Sequence, residues 1–395
     1  MNITKPRQFT IDRRKLFVVG ATILLAGCQL VPKAPTSSTE PPPTTGPTPE
    51  PTATGLPSDE TRHRIALLVP LTGDNGAVGN AIANATTMAL LDTNASNLRI
   101  TTYDTGKGAR NAARSAVSDG NKLILGPLMA SNVPQVLAEA RPANIPLISY
   151  SNDTSVAGPD VFVMGHVPSQ SIDRTVGYAR QNGASNFAAI IPDGEYGKRA
   201  EAALSAAILE SGGTLVATER FSRGNTSIVS ASQRLRQRGG FDTVLIADGA
   251  RLSALAAGEL KPGGNGNTQL LGTELLSGES SVTRNSAMRG TWFSAVSDAR
   301  FKRFSDSYKG RFGSNPYRIA TLGYDSVLLT LRVAQDWTPG RSFPLSRLRN
   351  DDGFLGLDGV FRFQRSGVIE RAMEVRQVQD GKVVIVSPAP TKFGG

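Results

Sequence analysis

One cysteine and two histidines in 395 residues leave little for most enzyme chemistry to work with. Cys28 stands alone, so the chain can form no internal disulfide and no cysteine-based metal cluster. His63 and His166 are the whole imidazole complement, too few for a histidine zinc site or a convincing histidine-based triad. Gly-x-Ser-x-Gly and His-Glu-x-x-His are absent, as is any Ser-x-x-Lys combined with Ser-Asp-Asn, which argues against a hydrolase. Tryptophan occurs only at Trp292 and Trp337, which read as packing residues rather than sugar platforms. No apolar run reaches the roughly 20 residues that a membrane-spanning helix needs. Together these absences favour a binding protein without catalysis, metal or cofactor.

The first segment is basic at Lys5, Arg7, Arg13, Arg14 and Lys15, then apolar or small over residues 16–27. That order is the n-region and h-region of a signal peptide over residues 1–27. Leu25-Ala26-Gly27-Cys28 matches the bacterial lipobox, which implies cleavage before Cys28 and lipidation of it. Several acyl chains hold a protein on a bilayer where a single chain binds only marginally. Gln29 at the next position resembles the sorting pattern of outer-membrane lipoproteins facing the periplasm, should the cell have an outer membrane. Asp12-Arg13-Arg14-Lys15-Leu16 also looks like a loose twin-arginine signal, which leaves the export route open.

Residues 28–61 then read as a tether. Nine prolines fall between positions 32 and 57, and the segment has too few large apolar residues to bury a core. Extended at about 3.1 Å per residue, it would reach on the order of 100 Å. Residues 1–27 carry five basic residues and one acidic one, so without them the formal charge falls from +10 to +6. The remaining basic clusters, Arg234-Leu235-Arg236-Gln237-Arg238 and Arg300-Phe301-Lys302-Arg303, fit solvated helix faces. Nucleic acid is no expected partner of an exported, anchored chain.

From position 62 onward the composition is that of an ordinary globular protein, and its length exceeds what one core usually accommodates, so two lobes are expected. Short β-branched runs at 65–69, 98–104, 122–125, 145–149, 187–191, 214–221, 243–247 and 269–271 predict strands. Helical periodicity falls between them, as at 81–92 and 196–210, the latter stopped by Gly212-Gly213. Repeated β–α units with short turns imply parallel sheets covered by helices, with functional residues at the carboxyl ends of the strands. Two more helical patterns occupy 298–334, and 353–386 alternates like hairpin material. The expected organisation is an N-terminal lobe over 62–167, a C-terminal lobe over 168–295, and return segments over 296–395 that complete both. Gly73, Gly76 and Gly79 mimic a phosphate loop, but no Gly-Lys-Ser/Thr follows, and the spacing suits an ordinary loop.

Several stretches resemble type I periplasmic binding proteins of the leucine-binding kind. They are Arg64-Ile65-Ala66-Leu67-Leu68-Val69-Pro70-Leu71-Thr72-Gly73, Leu125-Gly126-Pro127-Leu128-Met129-Ala130-Ser131, Ile145-Pro146-Leu147-Ile148-Ser149 and Ile191-Pro192-Asp193-Gly194-Glu195-Tyr196-Gly197, with Leu322-Gly323-Tyr324-Asp325-Ser326 near the end. The resemblance implies a two-lobed α/β fold, each lobe a mostly parallel sheet flanked by helices. Within that family, the first two stretches and Asp358-Gly359-Val360-Phe361-Arg362-Phe363 most resemble Lpo-type lipoprotein activators of penicillin-binding proteins. That likeness implies a peptidoglycan synthase as partner. The helical-repeat domain that some of those activators carry before the binding fold has no counterpart here.

By the same resemblance the cleft would be lined by Asp74 and Asn75 after the first strand, and by Ser131, Ser149 and Ser151 as hydroxyls for a carboxylate. Glu274 would hold an ammonium group and Tyr196 would cover the ligand. The serines read equally as turn and helix caps, Glu274 as a solvated loop acid, and Tyr196 as packing on its own helix. Asp153 falls where amino-acid binders favour a hydroxyl, and its charge opposes a carboxylate. His166 is expected at a crossover between the lobes. Two functions stand: activation of a peptidoglycan synthase, or a receptor for amino acids or related amides serving an ABC importer.

Overall fold

The computed structural model describes residues 61–262 and 266–393, all of them within the unit Ser58–Gly395. Residues 1–60, and with them the signal peptide, Cys28 and nearly all of the tether, lie outside the described residues.

The first lobe is built on a five-stranded sheet in the order β2-β1-β3-β4-β5. Its strands are β1 (His63–Val69), β2 (Leu98–Asp104), β3 (Leu123–Leu125), β4 (Leu147–Ser149) and β5 (Val161–Val163), all paired in parallel. Helices α1 (Gly76–Asp92), α2 (Ala109–Ser118) and α3 (Val133–Ala140) connect them. A parallel sheet buried on both faces needs apolar side chains on both, and β1 supplies them. Ile65, Leu67 and Val69 pack beneath α1, while Ala66 and Leu68 face α2 and α3. Gly79 explains the early glycine spacing. A Cβ there would lie 1.7 Å from the Pro70 carbonyl oxygen, so the glycine lets α1 close on the end of β1.

The second lobe repeats the plan. Helices α4 (Pro168–Gln181), α5 (Glu195–Ser211), α6 (Ser227–Arg238) and α7 (Ala250–Leu260) cover strands β6 (Asn186–Pro192), β7 (Thr214–Phe221), β8 (Thr243–Ile246), β9 (Gln269–Leu271) and β10 (Trp292–Ala295). Phe187, Ala189 and Ile191 of β6 pack against α4 and α5; Ala188 and Ile190 pack against α6 and α7. Gly197 of α5 matches Gly79, since its Cβ would sit 1.7 Å from the Pro192 carbonyl oxygen.

Helices α8 (Ala299–Phe312) and α9 (Thr321–Ala334) return to the first lobe. There Phe304 and Tyr308 pack on α1, and Leu322 and Leu329 join the β1 core. The final strands divide between the lobes. β11 (Phe354–Gly356), β12 (Gly359–Phe363) and β13 (Ile369–Arg371) form a small antiparallel sheet on the first. β14 (Glu374–Gln379) and β15 (Lys382–Ser387) extend the second sheet to the order β15-β14-β10-β9-β8-β6-β7. The chain therefore passes between lobes three times, at 164–167, 296–298 and 372–373.

Candidate functional site

The loops at the carboxyl ends of β1, β3 and β4 face the second lobe, as an open α/β sheet requires. They line a cavity of about 420 Å³ with Asn75, Leu128, Met129, Tyr150, Ser151, Asn152 and Asp153, closed on one side by Arg199 from α5. A second cavity of about 370 Å³ lies against the crossings, lined by Val167, Glu274, Leu275, Val296, Asp298, Phe301, Arg318 and Met373. His166 borders both cavities.

Hydroxyls organise the loop after β4. Ser149, fully buried, donates to the Pro127 carbonyl at 3.0 Å and accepts from the Ser151 N–H at 3.2 Å. Ser151 in turn accepts from the Asp153 N–H at 3.0 Å. Asp153 Oδ1 accepts from the Ser155 N–H at 3.0 Å and from its hydroxyl at 2.7 Å. Those bonds, with the nearby Arg199, hold the Asp153 carboxyl below the usual carboxylate range. The Asp153 charge, which opposes a carboxylate ligand, is turned to Arg199 Nη2 at 3.5 Å across the cleft.

In the second lobe Tyr196 and Glu274 are brought together. The Tyr196 hydroxyl lies 2.9 Å from Thr273 Oγ1 and donates to Glu274 Oε1 at 3.4 Å, with the Arg223 guanidinium 5.2 Å from its ring centroid. Glu274 Oε2 is buried without a hydrogen-bond partner. Burial in this apolar setting pushes the carboxyl up to about 7. Asn75 and Ser151 thus share the first cavity, Glu274 lines the second, and Ser149 lies beneath the loop. Asp74 and Ser131 are exposed on their loops and line neither cavity.

The hinge carries a set of charges that sequence reasoning missed apart from His166. Asp358, fully buried between β11 and β12, receives Arg318 Nη2 at 2.8 Å and the Thr321 hydroxyl at 2.8 Å, and His166 Nε2 lies 2.9 Å away. Arg318 also pairs with Asp298, whose other oxygen lies 2.6 Å from Arg376 Nη1 of β14. Arg376 continues to Glu374 at 2.7 Å and donates to the Val296 carbonyl at 2.8 Å. Arg371 donates to the Met164 carbonyl at 2.8 Å. The chain Glu374, Arg376, Asp298, Arg318, Asp358 alternates in sign, ends on the His166 imidazole and touches all three crossings. Burial alone would raise Asp358, but His166 and Arg318 hold it well below the usual range. Neighbouring Asp325 is pushed up to about 7 by burial and then by the Asp358 charge. Burial pulls His166 below its ordinary value against the opposing pull of Asp358. Among the described residues, no cluster of three or more metal-ligating side chains is formed.

Residues 63–382 match a protein family described as periplasmic binding protein. Among solved structures, the chain is similar to a putative branched-chain amino acid ABC transporter protein from Rhodospirillum rubrum, with TM-score 0.72 and 18% identity over 82% of this chain and all of that one. It is also similar to the C-domain of LpoA from Haemophilus influenzae, a regulator of PBP1A, with TM-score 0.65 and 20% identity over 82% of this chain and 99% of that one. An uncharacterised protein of Rickettsia prowazekii is 27% identical over 174 residues, spanning 43% of this chain and 46% of the relative's own length. These likenesses show the two-lobed type I periplasmic-binding-protein fold.

Proposed function

The chain belongs to the periplasmic binding protein family, and we propose that it is a non-catalytic envelope module that binds and stimulates a peptidoglycan synthase of the penicillin-binding class. The hinge carries this reading. An importer receptor must open to load and close to deliver, by rotation about its crossing segments. Here rotation would pull on Asp298 in a crossing, which meets Arg318 of the first lobe and Arg376 of the second, while the Asp358–Arg318 pair anchors that link within the first lobe. Asp298 is 46% exposed, so each of its two contacts is worth on the order of 1 kcal/mol, and the link resists rotation through both together. Lobes held at a fixed angle suit a partner that reads a constant outer surface. The likeness to a PBP1A regulator supports the same reading. Lipidation at Cys28 and a proline-rich tether would hold the domain off the membrane, the outer one where the cell has two, and give it the reach to meet a synthase.

One observation favours a second reading, a solute receptor for an ABC importer. Glu274 offers a buried, unpartnered carboxylate oxygen beside an apolar cavity, a fitting seat for an amine. Calorimetry of the chain from Thr61 onward decides between the two, titrated with an amino-acid panel and, in parallel, with a bifunctional penicillin-binding protein from the same organism. Binding to the synthase with no heat from solutes is the expected outcome. Micromolar binding of an amino acid, lost in Glu274→Ala, overturns it in favour of the receptor.

A further inference from the structure

The interlobe pair of Asp153 and Arg199 has the form of a ligand site filled from within. The first lobe fixes the Asp153 carboxylate without help from the second, because Ser155 and Ser151 hold its side chain and backbone in place. Arg199 meets that carboxylate from the opposite wall at 3.5 Å. Neighbouring basic residues satisfy themselves inside the second lobe: Lys198 with Glu195, Arg220 with Glu201 and Arg223 with Asp248. Arg199 instead reaches across the cleft. Both partners line the 420 Å³ cavity, beside the polar side chains of Asn75, Ser151 and Asn152. That volume lies within the roughly 300–1,000 Å³ of small-molecule sites.

We propose that Asp153 is a tethered stand-in for a small organic monocarboxylate, and that Arg199 is the counter-charge such a ligand would use. A free carboxylate entering this cavity must displace one already present at high effective concentration, and it must accept the repulsion of a like charge while doing so. The cleft is thereby closed to anionic solutes. This deepens the reading of the chain as a binding fold whose partner is a protein rather than a solute, and it rests on that reading. Both side chains are partly open to solvent, 24% for Asp153 and 37% for Arg199. Exposed pairs of this kind contribute little to stability, so removing Asp153 should leave the domain folded.

The test uses the full chain in detergent, titrated calorimetrically with acetate, 4-methylpentanoate and benzoate, and with leucinamide as a cation that lacks a carboxylate. The parent chain is expected to bind no carboxylate measurably. Asp153→Ser should bind at least one of the three at least tenfold more tightly, and Arg199→Ala in the same background should abolish the gain. Leucinamide should gain nothing. The proposal is overturned if Asp153→Ser, folded by circular dichroism, stays silent toward all three. A gain that survives Arg199→Ala, or a parent that already binds a carboxylate as tightly as the variant, overturns it too. Synthase stimulation by the parent chain reports on the functional reading separately, because that assay can fail while the carboxylate result stands.

Discussion

Removing Asp358 should show whether the hinge network is structural. Its carboxylate is fully buried and serves His166, Arg318 and Thr321. Asp358→Ala leaves those groups without their shared acceptor. Removing one partner of a buried pair costs about 3–5 kcal/mol. Arg318 keeps Asp298, which argues for the lower half of that range. Tm moves by roughly 2–4 °C per kcal/mol in domains of 150–250 residues and less in larger ones, so a fall on the order of 5–10 °C is expected by scanning calorimetry at pH 7. Asp336→Ala is the control, since its pair with Arg347 is exposed at 54% and 58% and should matter by less than about 1 kcal/mol. Spin labels placed on the two lobes should also show a broader distance distribution in Asp358→Ala than in the parent. Equal Tm values for Asp358→Ala and Asp336→Ala, or an unchanged distance distribution, would refute the clamp.

Three further outcomes follow from local geometry. Gly197→Ala places a Cβ 1.7 Å from the Pro192 carbonyl oxygen and should cost at least about 2 kcal/mol in urea unfolding, whereas Gly177→Ala, with nothing within 4 Å, should gain up to about 1 kcal/mol. His63 stacks on Trp337 at 4.1 Å, its Nδ1 buried without a partner, and burial lowers its pKa. Below about 6.5 the unfolded chain takes up a proton that the folded one resists, so stability falls as pH drops through 6.5; His63→Phe, compared with the parent in melts from pH 8 to 5, should flatten that slope. Glu274 has the opposite sign: its carboxyl is raised to about 7, so its contribution is full below the unfolded value near 4.5 and fades as pH rises towards 7. Glu274→Gln should therefore match the parent at pH 4.5 and exceed it at pH 8 by on the order of 3 kcal/mol in the same melts.

The alternation of strands and helices was legible because parallel strands buried on both faces must be continuous apolar runs, as Leu67-Leu68-Val69 and Ile190-Ile191 are. β5 and β10 escaped notice for physical reasons. β5 is only Val161–Val163, hemmed in by Gly158 and Gly165, and β10 (Trp292–Ala295) has no alternation. α1 begins at Gly76, five residues before the apolar repeat that predicts it, because its first turn is packed through Gly79 rather than through large side chains. The closing strands read as one hairpin region because alternation reports a strand but not its sheet. They separate at Ala372-Met373, where nothing local marks the passage between lobes.

The site divides along the same line. Asn75 and Ser151 were named through the resemblance, and both line the first cavity, on loops that follow strands whose carboxyl ends open on the cleft. Tyr196 and Glu274 were named through resemblance, and their contact joins residues 78 positions apart. The hinge offered no such handle. His166 and Asp358 are 192 positions apart, and neither lies in a pattern that demands the other. Arg199 differs in no sequence feature from Lys198 beside it, yet one pairs across the cleft and the other with Glu195 on its own helix. Periodicity records burial, one residue at a time, whereas an ion pair across a hinge exists only after three passages of the chain have brought distant segments together. A fold shared with transport proteins and with a regulator of PBP1A can therefore be read early, while the charges at the hinge and in the cleft, on which the proposed reading rests, cannot. Those charges are where mutation should separate an opening receptor from a rigid scaffold.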